Sequence, residues 1–370
     1  MVKKIGIVSL SSGIVGEDYV KHEVAIGVER LEQYGIEVQF MNHALAGEQY
    51  VKNHYKERAQ DLIDALSDDT IDMILCSFGG DDTYQLLPYL FEDDVLKNAV
   101  KGNEKIFLGY SDTTINHLMF YKVGMNTYYG QAFLSDVCEL DKEMMPYTRK
   151  YFEELLFGGT ISEIVPSDIW YTGRKDFSVE SIGTPNAAYL NEGFISLQGA
   201  MVFEGKILGG CIDTLFDIFD NTRYSDSVEV CRRYDIFPSL DDWKDKILLL
   251  ETSEEQPKPE HFRKQLSVLK KEGVFSVIKG ILFGKPMDEK YMQKYHEILV
   301  DVVSNPSLPI AANINVGHAA PRCIIPFGVM ARVDVNKQWI RFGENPRTPR
   351  NFWLSEETNS TCKLGMRTFF

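Results

Sequence analysis

Apolar residues occur along the N-terminal part of the chain in two different patterns. Short apolar runs predict strands over residues 5–10, 38–41, 71–78 and 106–108, and helically spaced apolar residues predict helices over residues 19–34, 59–66, 86–90 and 117–121. Strands that alternate with helices form parallel sheets through right-handed crossovers, with helices covering both faces. We therefore predict an α/β fold class, with an N-terminal doubly wound parallel-sheet domain over residues 1–160.

The pattern weakens beyond this domain and then resumes in a different form. Residues 161–195 are polar and aromatic with interspersed Gly and Pro, which predicts a linker or substrate loop. Strands are predicted over residues 247–250, 277–283 and 310–312, and hairpins over 201–208, turning at Glu204-Gly205, and over 333–342, turning at Asn336-Lys337. These elements predict a C-terminal mixed α+β domain over residues 196–345, followed by a tail over 346–370 to which we assign no role.

Composition limits the possible partners. The 370 residues, 44% of them hydrophobic, are enough for two domains, and 39 basic against 54 acidic residues give a net charge of -15. Such a surface repels nucleic acid and anionic membranes, and no apolar run approaches the length of a membrane span. The six cysteines are scattered without C-x-x-C spacing or nearby histidines, so we expect no metal site, no disulfide framework and a cytoplasmic location.

The segment Gly109-Tyr110-Ser111-Asp112-Thr113 places a serine between a predicted buried strand and a predicted helix. That turn exposes the hydroxyl and points the helix N-terminus at any oxyanion that forms nearby, which suits a nucleophile. Ser111 or Asp112 could equally cap the helix, which is the commoner role of such residues. The segment also lacks the second glycine of the G-x-S-x-G motif, so it does not indicate an ordinary α/β-hydrolase.

Gly79 and Gly80 follow the strand predicted over residues 71–78. Paired glycines let the backbone approach a ligand closely and turn its amides toward it, which suits substrate binding and an oxyanion hole. An ordinary strand-to-helix turn is the alternative interpretation. The chain contains neither G-x-G-x-x-G nor the P-loop motif, so neither standard nucleotide-binding fold is indicated.

Glu251 and His318 both lie just beyond predicted strands, as a base and its orienting carboxylate would in an α/β fold. Glu251 ends the apolar run 247–250, and His318 lies in a glycine-bearing loop after residues 310–312. His117 is a rival base, six residues after Ser111, but helical geometry directs it away from the turn. Isolated residues at strand ends are often structural, so both interpretations stay open.

Four motifs together resemble the LD-carboxypeptidase and microcin C immunity family of serine peptidases. They are Ser77-Phe78-Gly79-Gly80-Asp81-Asp82-Thr83 with Leu86-Leu87-Pro88-Tyr89-Leu90, Gly109-Tyr110-Ser111-Asp112-Thr113-Thr114, Leu248-Leu249-Leu250-Glu251, and Asn315-Val316-Gly317-His318. The resemblance implies a Ser111–Glu251–His318 triad, an oxyanion hole formed by the backbone amides of Gly80 and Asp112, and a homodimer. The chemistry of such a triad requires neither a metal nor an organic cofactor.

The resemblance leaves two related activities open. The first is hydrolysis of the amide or acylphosphoramidate bond of an aminoacyl-nucleotide, as in immunity to microcin C, and the second is LD-carboxypeptidase action on murein tetrapeptide. Immunity-type members stack a tryptophan on the nucleobase, which makes Trp170 a candidate substrate-binding residue, although it could instead pack against the domain surface. A catalytically silent α/β ligand-binding protein is the alternative from another class.

Overall fold

The computed structural model describes residues 1–343. The predicted tail over residues 346–370 and the end of the predicted C-terminal domain lie outside the described residues. The strands are β1 (Lys4–Val8), β2 (Glu37–Phe40), β3 (Met73–Cys76), β4 (Ile106–Gly109), β5 (Tyr128–Tyr129), β6 (Glu163–Ile164), β7 (Ile169–Tyr171), β8 (Ala188–Leu190), β9 (Ile195–Gln198), β10 (Val202–Cys211), β11 (Lys246–Glu251), β12 (Gly280–Gly284), β13 (Ile310–Ile314), β14 (Ile325–Pro326), β15 (Met330–Asp334) and β16 (Trp339–Phe342).

Helices connect most of these strands. They are α1 (Lys21–Gln33), α2 (Glu48–Asn53), α3 (Tyr55–Ser67), α4 (Leu87–Phe91), α5 (Val95–Val100), α6 (Thr114–Lys122), α7 (Pro146–Gly158), α8 (Ile212–Asp217), α9 (Ser227–Arg233), α10 (Leu240–Trp243), α11 (Pro259–Lys271) and α12 (Met292–Val303). Two shorter turns position site residues, a 3-10 turn over Ser111–Thr113 and a π turn over Phe133–Val137.

The first sheet confirms the predicted doubly wound fold. Its strand order is β14-β5-β4-β3-β1-β2; β2, β1, β3, β4 and β5 pair in parallel with one another, and β14 pairs with β5 in the antiparallel direction. This is the 2-1-3-4-5 order of a doubly wound sheet, in which ligands bind beyond the carboxyl ends of the strands. The turns after β3 and β4, which contain Gly79-Gly80 and Ser111, lie at that edge.

The second sheet confirms the mixed architecture of the C-terminal domain. Its strand order is β6-β16-β15-β10-β11-β12-β13-β9. Strands β10 to β13 are parallel, and antiparallel strands flank them on both sides. Because β11 is central, its apolar run is buried on both faces, and Glu251 emerges from the middle of the sheet.

The hairpin predicted over residues 201–208 is wrong. Residues 202–211 form one continuous strand, whose first half pairs with β15 and whose second half pairs with β11. Gly205 makes no turn: a Cβ there would lie 2.7 Å from the carbonyl oxygen of Asp245, so the glycine allows a neighbouring chain segment to approach closely. The hairpin predicted over residues 333–342 is confirmed as β15 and β16.

Residues 161–195 contain short strands, which pair with the second sheet or with each other. Strand β6 pairs with the edge strand β16, and β7 and β8 form a separate antiparallel hairpin. The backbone amide of Tyr171 donates to the carbonyl of Ala320, which ties this hairpin to the loop that contains His318. Farther along, β14 returns from the C-terminal domain to the edge of the first sheet.

Two further observations concern the helices and the cysteines of the described residues. None of the helices within residues 1–343 is both long and apolar enough to cross a membrane. Cys76, Cys138, Cys211, Cys231 and Cys323 are buried free thiols.

Candidate active site

Ser111 lies in a constrained turn at the end of β4. Its φ is 65°, in the left-handed region that non-glycine residues seldom adopt, and the chain enters a 3-10 turn at this residue and then α6. Gly79 packs against it so closely that a Cβ there would lie 2.9 Å from Ser111 Oγ. A strained strand-to-helix turn of this kind holds a serine hydroxyl at the sheet edge.

Ser111, His318 and Glu251 are hydrogen-bonded in series. His318 Nε2 lies 3.0 Å from Ser111 Oγ, and His318 Nδ1 lies 2.8 Å from Glu251 Oε2. An ionised carboxylate only accepts hydrogen bonds, so Nδ1 has the proton and Nε2 faces the serine. The serine comes from the first sheet and the other two residues from the second, 207 residues separating the histidine from the serine.

Glu251 is fully buried and is held by donors on several sides. Its Oε1 accepts from the hydroxyl of Tyr129 at 2.7 Å, and its Oε2 accepts from the backbone amide of His318 at 3.2 Å as well as from the imidazole. The same Tyr129 hydroxyl accepts from the backbone amide of Ser111 at 3.2 Å. Tyr129 therefore connects the backbone of the serine to the carboxylate that orients the histidine.

A buried ion pair between the two domains fixes the loop that contains His318. Arg322 Nη1 donates to Asp136 Oδ1 at 2.7 Å, and the same guanidinium donates to the carbonyls of His318 and Gly317. Asp136 belongs to the π turn of the first domain. Although burial opposes the charge, Asp136 raises the pKa of Arg322 above its ordinary value, so the guanidinium stays charged.

The two residues expected to form the oxyanion hole are Gly80, which follows Gly79, and Asp112, which follows Ser111. The φ of Gly80 is +143°, and a Cβ there would meet Ser11 Oγ at 2.1 Å, so no side chain fits. The carboxylate of Asp112 accepts from Ser11 Oγ at 2.6 Å and from the amide of Thr83 at 2.8 Å, while burial raises its pKa to about 6. The amide of Asp112 belongs to a first helical turn, whose N–H groups have no intrahelical acceptor.

Glu254 is a site residue that the sequence analysis missed. Its carboxylate lies 2.9 Å from His318 Nε2, the same atom that faces Ser111. Burial opposes ionisation, but the hydrogen bond and charge of His318 lower the pKa of Glu254 to about 2. The acidic sequence Glu254-Glu255, three residues after Glu251, was a visible signal, but its contact with His318 depends on the fold.

Two carboxylates therefore act on one imidazole. Burial lowers the affinity of His318 for a proton, but the charge of Glu251, together with the hydrogen bonds to Glu251 and Glu254, raises the pKa of His318 to about 10. These partners favour the protonated imidazole near neutral pH.

His117, the rival base, is occupied elsewhere. Its Nδ1 lies 2.7 Å from Thr127 Oγ1 and its Nε2 lies 3.1 Å from the carbonyl oxygen of Gly109. Burial lowers the pKa of His117 to about 3, which keeps the ring neutral. Its contacts join the last residue of β4 to the residue that precedes β5.

Trp170 is buried at the β7–β8 hairpin, with 8% of its surface exposed. Its ring stacks on Tyr189 at a centroid distance of 4.8 Å, and Lys285 Nζ lies 5.0 Å from the ring centroid. Tyr189 is 51% exposed, so it is the solvent-facing ring of the pair.

Cys211, Glu251 and His318 form a cluster of potential metal ligands, with candidate atoms all within 4.8 Å of one another. Burial raises the pKa of the Cys211 thiol well above its usual value, which disfavours the thiolate that binds metals. Glu251 and Nδ1 of His318 are already bonded to each other. These residues fit a hydrogen-bonded triad better than a metal centre.

Serine hydrolases have this arrangement: a serine at a turn is hydrogen-bonded to a histidine, and the histidine is hydrogen-bonded to a carboxylate. Residues 5–130 match the LD-carboxypeptidase N-terminal domain, and residues 204–333 match the LD-carboxypeptidase C-terminal domain. The chain belongs to the LD-carboxypeptidase family.

Two solved structures and a microcin self-immunity protein extend this comparison. An MccF-like protein from Streptococcus pneumoniae, solved in complex with AMP, is 59% identical with a TM-score of 0.91, over 93% of this chain and 99% of that chain. The microcin C7 self-immunity protein MccF of Escherichia coli is 25% identical over 86% of this chain and 87% of its own length. A structure of MccF with aspartyl sulfamoyl adenosine, 24% identical over 93% of this chain and 97% of that chain, has a TM-score of 0.77 and shows the shared fold.

Proposed function

We propose that the protein is a serine hydrolase in which Ser111 is the nucleophile, His318 the general base and Glu251 the residue that orients and stabilises the imidazole. The observation that carries the proposal is the continuous series of hydrogen bonds from Ser111 Oγ through His318 to Glu251. Helical capping does not account for this series, because Ser111 contacts His318 of the other domain.

The first half of the reaction forms an acyl-enzyme. Neutral His318 accepts the Ser111 hydroxyl proton at Nε2 while Oγ attacks the substrate carbonyl carbon. We propose that the backbone amides of Gly80 and Asp112 donate to the resulting oxyanion. The imidazolium then donates its proton to the leaving group as the bond to the carbonyl carbon breaks.

The second half repeats these proton transfers with water. His318 takes a proton from a water molecule that attacks the acyl carbon, and Ser111 leaves with the proton returned from Nε2. The triad and the two amides supply each group that these steps require.

We propose that the substrate is an aminoacyl-nucleotide, cleaved at its amide or acylphosphoramidate bond in a detoxification reaction. The AMP complex of the MccF-like protein from Streptococcus pneumoniae and the MccF complex with aspartyl sulfamoyl adenosine support this class of substrate. Each ligand contains the nucleotide or aminoacyl-nucleoside part of such a compound.

The β7–β8 hairpin is our candidate for the nucleobase site. Trp170 and Tyr189 are stacked, and the hairpin is hydrogen-bonded to the His318 loop through Tyr171 and Ala320. We propose that the base stacks on this pair and that Tyr189 is the ring that it meets first or displaces. At the other end of the substrate, Gly79 lets the acyl group approach Ser111. Base–aromatic stacking contributes about 1–3 kcal/mol.

LD-carboxypeptidase action on murein tetrapeptide is the second candidate. Both matched domains have that description, and the same triad would cleave a peptide bond. The family thus supports a peptidase activity, while the AMP complex of the 59%-identical structure favours the nucleotide substrate.

Mass spectrometry distinguishes these candidates. The wild-type protein and Ser111→Ala would be incubated in parallel with an aminoacyl sulfamoyl adenosine and with murein tetrapeptide. Release of the amino acid from the first compound by the wild type only supports the proposal. Cleavage of the tetrapeptide alone would favour the carboxypeptidase. If the wild type cleaves neither compound and Ser111 does not react with a serine-directed fluorophosphonate, the protein would be a catalytically silent binding protein.

We also propose a homodimer in the cytoplasm. The family resemblance suggests the dimer, and the buried free thiols suit a reducing compartment. Sedimentation of the purified protein measures the assembly directly.

A further inference from the structure

The carboxylate of Glu254 occupies a position that conflicts with catalysis. Its Oε2 lies 2.9 Å from His318 Nε2, and Ser111 Oγ lies 3.0 Å from the same nitrogen. An N–H at Nε2 that donates to Glu254 leaves no lone pair to accept the serine proton. The contact with Glu254 therefore favours a proton on Nε2, the form of His318 that cannot act as the base.

The other groups around His318 do not compensate for the two carboxylates. The ring of Tyr110 lies edge-on at 5.1 Å, and the thiol of Cys211 lies nearby and is neutral. Arg322 is the neighbouring cation, but Asp136 pairs with it at 2.7 Å. Negative charge thus dominates at the imidazole, consistent with its raised pKa.

Glu254 differs from the acidic residues near it in its partner. Glu255 pairs with Arg223, which also pairs with Asp81 and Asp217. Among residues 1–343, Glu254 forms an ion pair with His318 and with no other cation, and its side chain is 59% exposed. The Glu254 side chain can therefore move away from His318 without a change in the fold, when another cation pairs with its carboxylate.

We propose that Glu254 is a specificity-determining residue that binds the α-ammonium group of an aminoacyl substrate, and that this exchange releases His318 for catalysis. The inference rests on the proposed function. An attacked carbonyl carbon lies about 3–3.5 Å from Ser111 Oγ. The α-nitrogen is two bonds of about 1.5 Å farther along, within reach of a carboxylate that already contacts Nε2.

The exchange balances charge and protons. The substrate ammonium replaces the imidazolium as the partner of Glu254, and the imidazolium, now facing one carboxylate instead of two, releases its Nε2 proton to water. Nε2 can then accept the proton of Ser111 Oγ. A substrate without a cation at this position leaves Glu254 on His318 and is hydrolysed slowly.

The test compares an aminoacyl sulfamoyl adenosine with its N-acetyl derivative, which lacks the ammonium. For the wild type we expect kcat/KM to favour the free amine by at least tenfold. Glu254→Gln should reduce this preference to less than threefold and should raise activity on the N-acetyl compound near neutral pH. Glu255→Gln is the matched control, because it removes a neighbouring charge that does not contact His318, and it should keep the wild-type preference.

Each outcome bears on a different claim. A wild type without preference, or a Glu254→Gln variant that keeps the full preference, overturns the inference while leaving the hydrolase intact. If the wild type hydrolyses neither compound, the proposed function fails. Calorimetry then measures the binding of the same two compounds to Ser111→Ala, with and without Glu254→Gln. Tighter binding of the free amine that depends on Glu254 supports the inference, and equal binding of the two compounds overturns it.

Discussion

Gly317 lies directly against the carboxylate of Glu251. A Cβ built on Gly317 would come within 2.2 Å of Glu251 Oε2, and the φ of Gly317 is +84°. The glycine next to the histidine therefore lets the chain pass over the carboxylate closely enough for the His318 amide and imidazole to donate to one oxygen. The absence of a side chain at Gly317 is thus part of the geometry in which Glu251 and His318 meet.

Replacing this glycine should impair activity beyond the cost of backbone strain. Gly317→Ala is expected to lower kcat/KM by about 100-fold or more, because the methyl group displaces Glu251 from the imidazole. Gly124→Ala is the control, since Gly124 has φ +86° and nothing within 4 Å of an added Cβ. It should lose similar stability and keep its activity, as measured by steady-state kinetics and thermal unfolding.

His117 should prove structural. His117→Gln is expected to keep kcat/KM within about fivefold of the wild type, whereas loss of a general base costs about 100-fold to 10,000-fold. Removing its two buried hydrogen bonds should lower the free energy of unfolding by about 1–3 kcal/mol. A loss of several orders of magnitude in a stably folded variant would instead make His117 the base.

The Arg322–Asp136 pair should stabilise the junction between the domains. Arg322→Ala leaves Asp136 buried and unpaired, so we expect the free energy of unfolding to fall by about 3–5 kcal/mol in urea. Arg341→Ala is the control, because the Arg341–Glu163 pair is 38% exposed on both sides and such pairs contribute about 1 kcal/mol or less. Equal losses from the two variants would contradict a special role for the buried pair.

The pH dependence should report the protonation of His318. Catalysis requires the neutral imidazole, so kcat/KM on an N-acetyl substrate, which has no titrating amine, should rise with pH toward the His318 pKa of about 10. Glu254→Gln removes one anionic partner and should move this rise to lower pH. A pH profile unchanged by Glu254→Gln would show that the contact does not govern the base.

The same pKa has a consequence for stability. Because the folded pKa of His318 lies above its usual value of 6.5, the stabilisation from its ion pairs is complete below about pH 6.5 and is lost as the pH rises through about 10. Chemical denaturation between pH 6 and 10 should show a decline that is smaller in His318→Ala. An equal decline in both proteins would assign the effect to other groups.

Substitution of Trp170 separates nucleobase stacking from packing. If the base stacks on the Trp170–Tyr189 pair, Trp170→Ala should lower kcat/KM on an aminoacyl nucleotide by about tenfold or more and leave a small acyl ester almost unaffected. Phe177→Ala, which removes an exposed aromatic ring of the same segment, is the control. Equal losses of Trp170→Ala on both substrates would indicate a packing role.

The repeating patterns of the sequence predicted much of the fold. Strands β1, β3, β4 and β11 are mostly apolar runs, which is typical of buried parallel strands. Strand β10 was misread as a hairpin because Glu204-Gly205 has the composition of a turn. Only the structure shows that Gly205 accommodates Asp245 of the neighbouring segment.

The candidate site was predicted from its motifs, while its supporting residues were not. Ser111 follows β4, Glu251 ends β11 and His318 follows β13, so the place of each residue at the carboxyl end of its strand could be anticipated. Tyr129 and Glu254 act through contacts between chain segments far apart in sequence, and no local pattern encodes such contacts.

A double-mutant comparison of Ser111 and His318 tests the central claim most directly. Ser111→Ala, His318→Ala and the double variant would be assayed for kcat/KM on the aminoacyl sulfamoyl adenosine, with folding checked by circular dichroism. Residues that act as one unit are strongly non-additive. We therefore predict losses of several orders of magnitude in each single variant and hardly more in the double variant. Near-wild-type turnover in either folded single variant, or losses that add in the double variant, would contradict the triad.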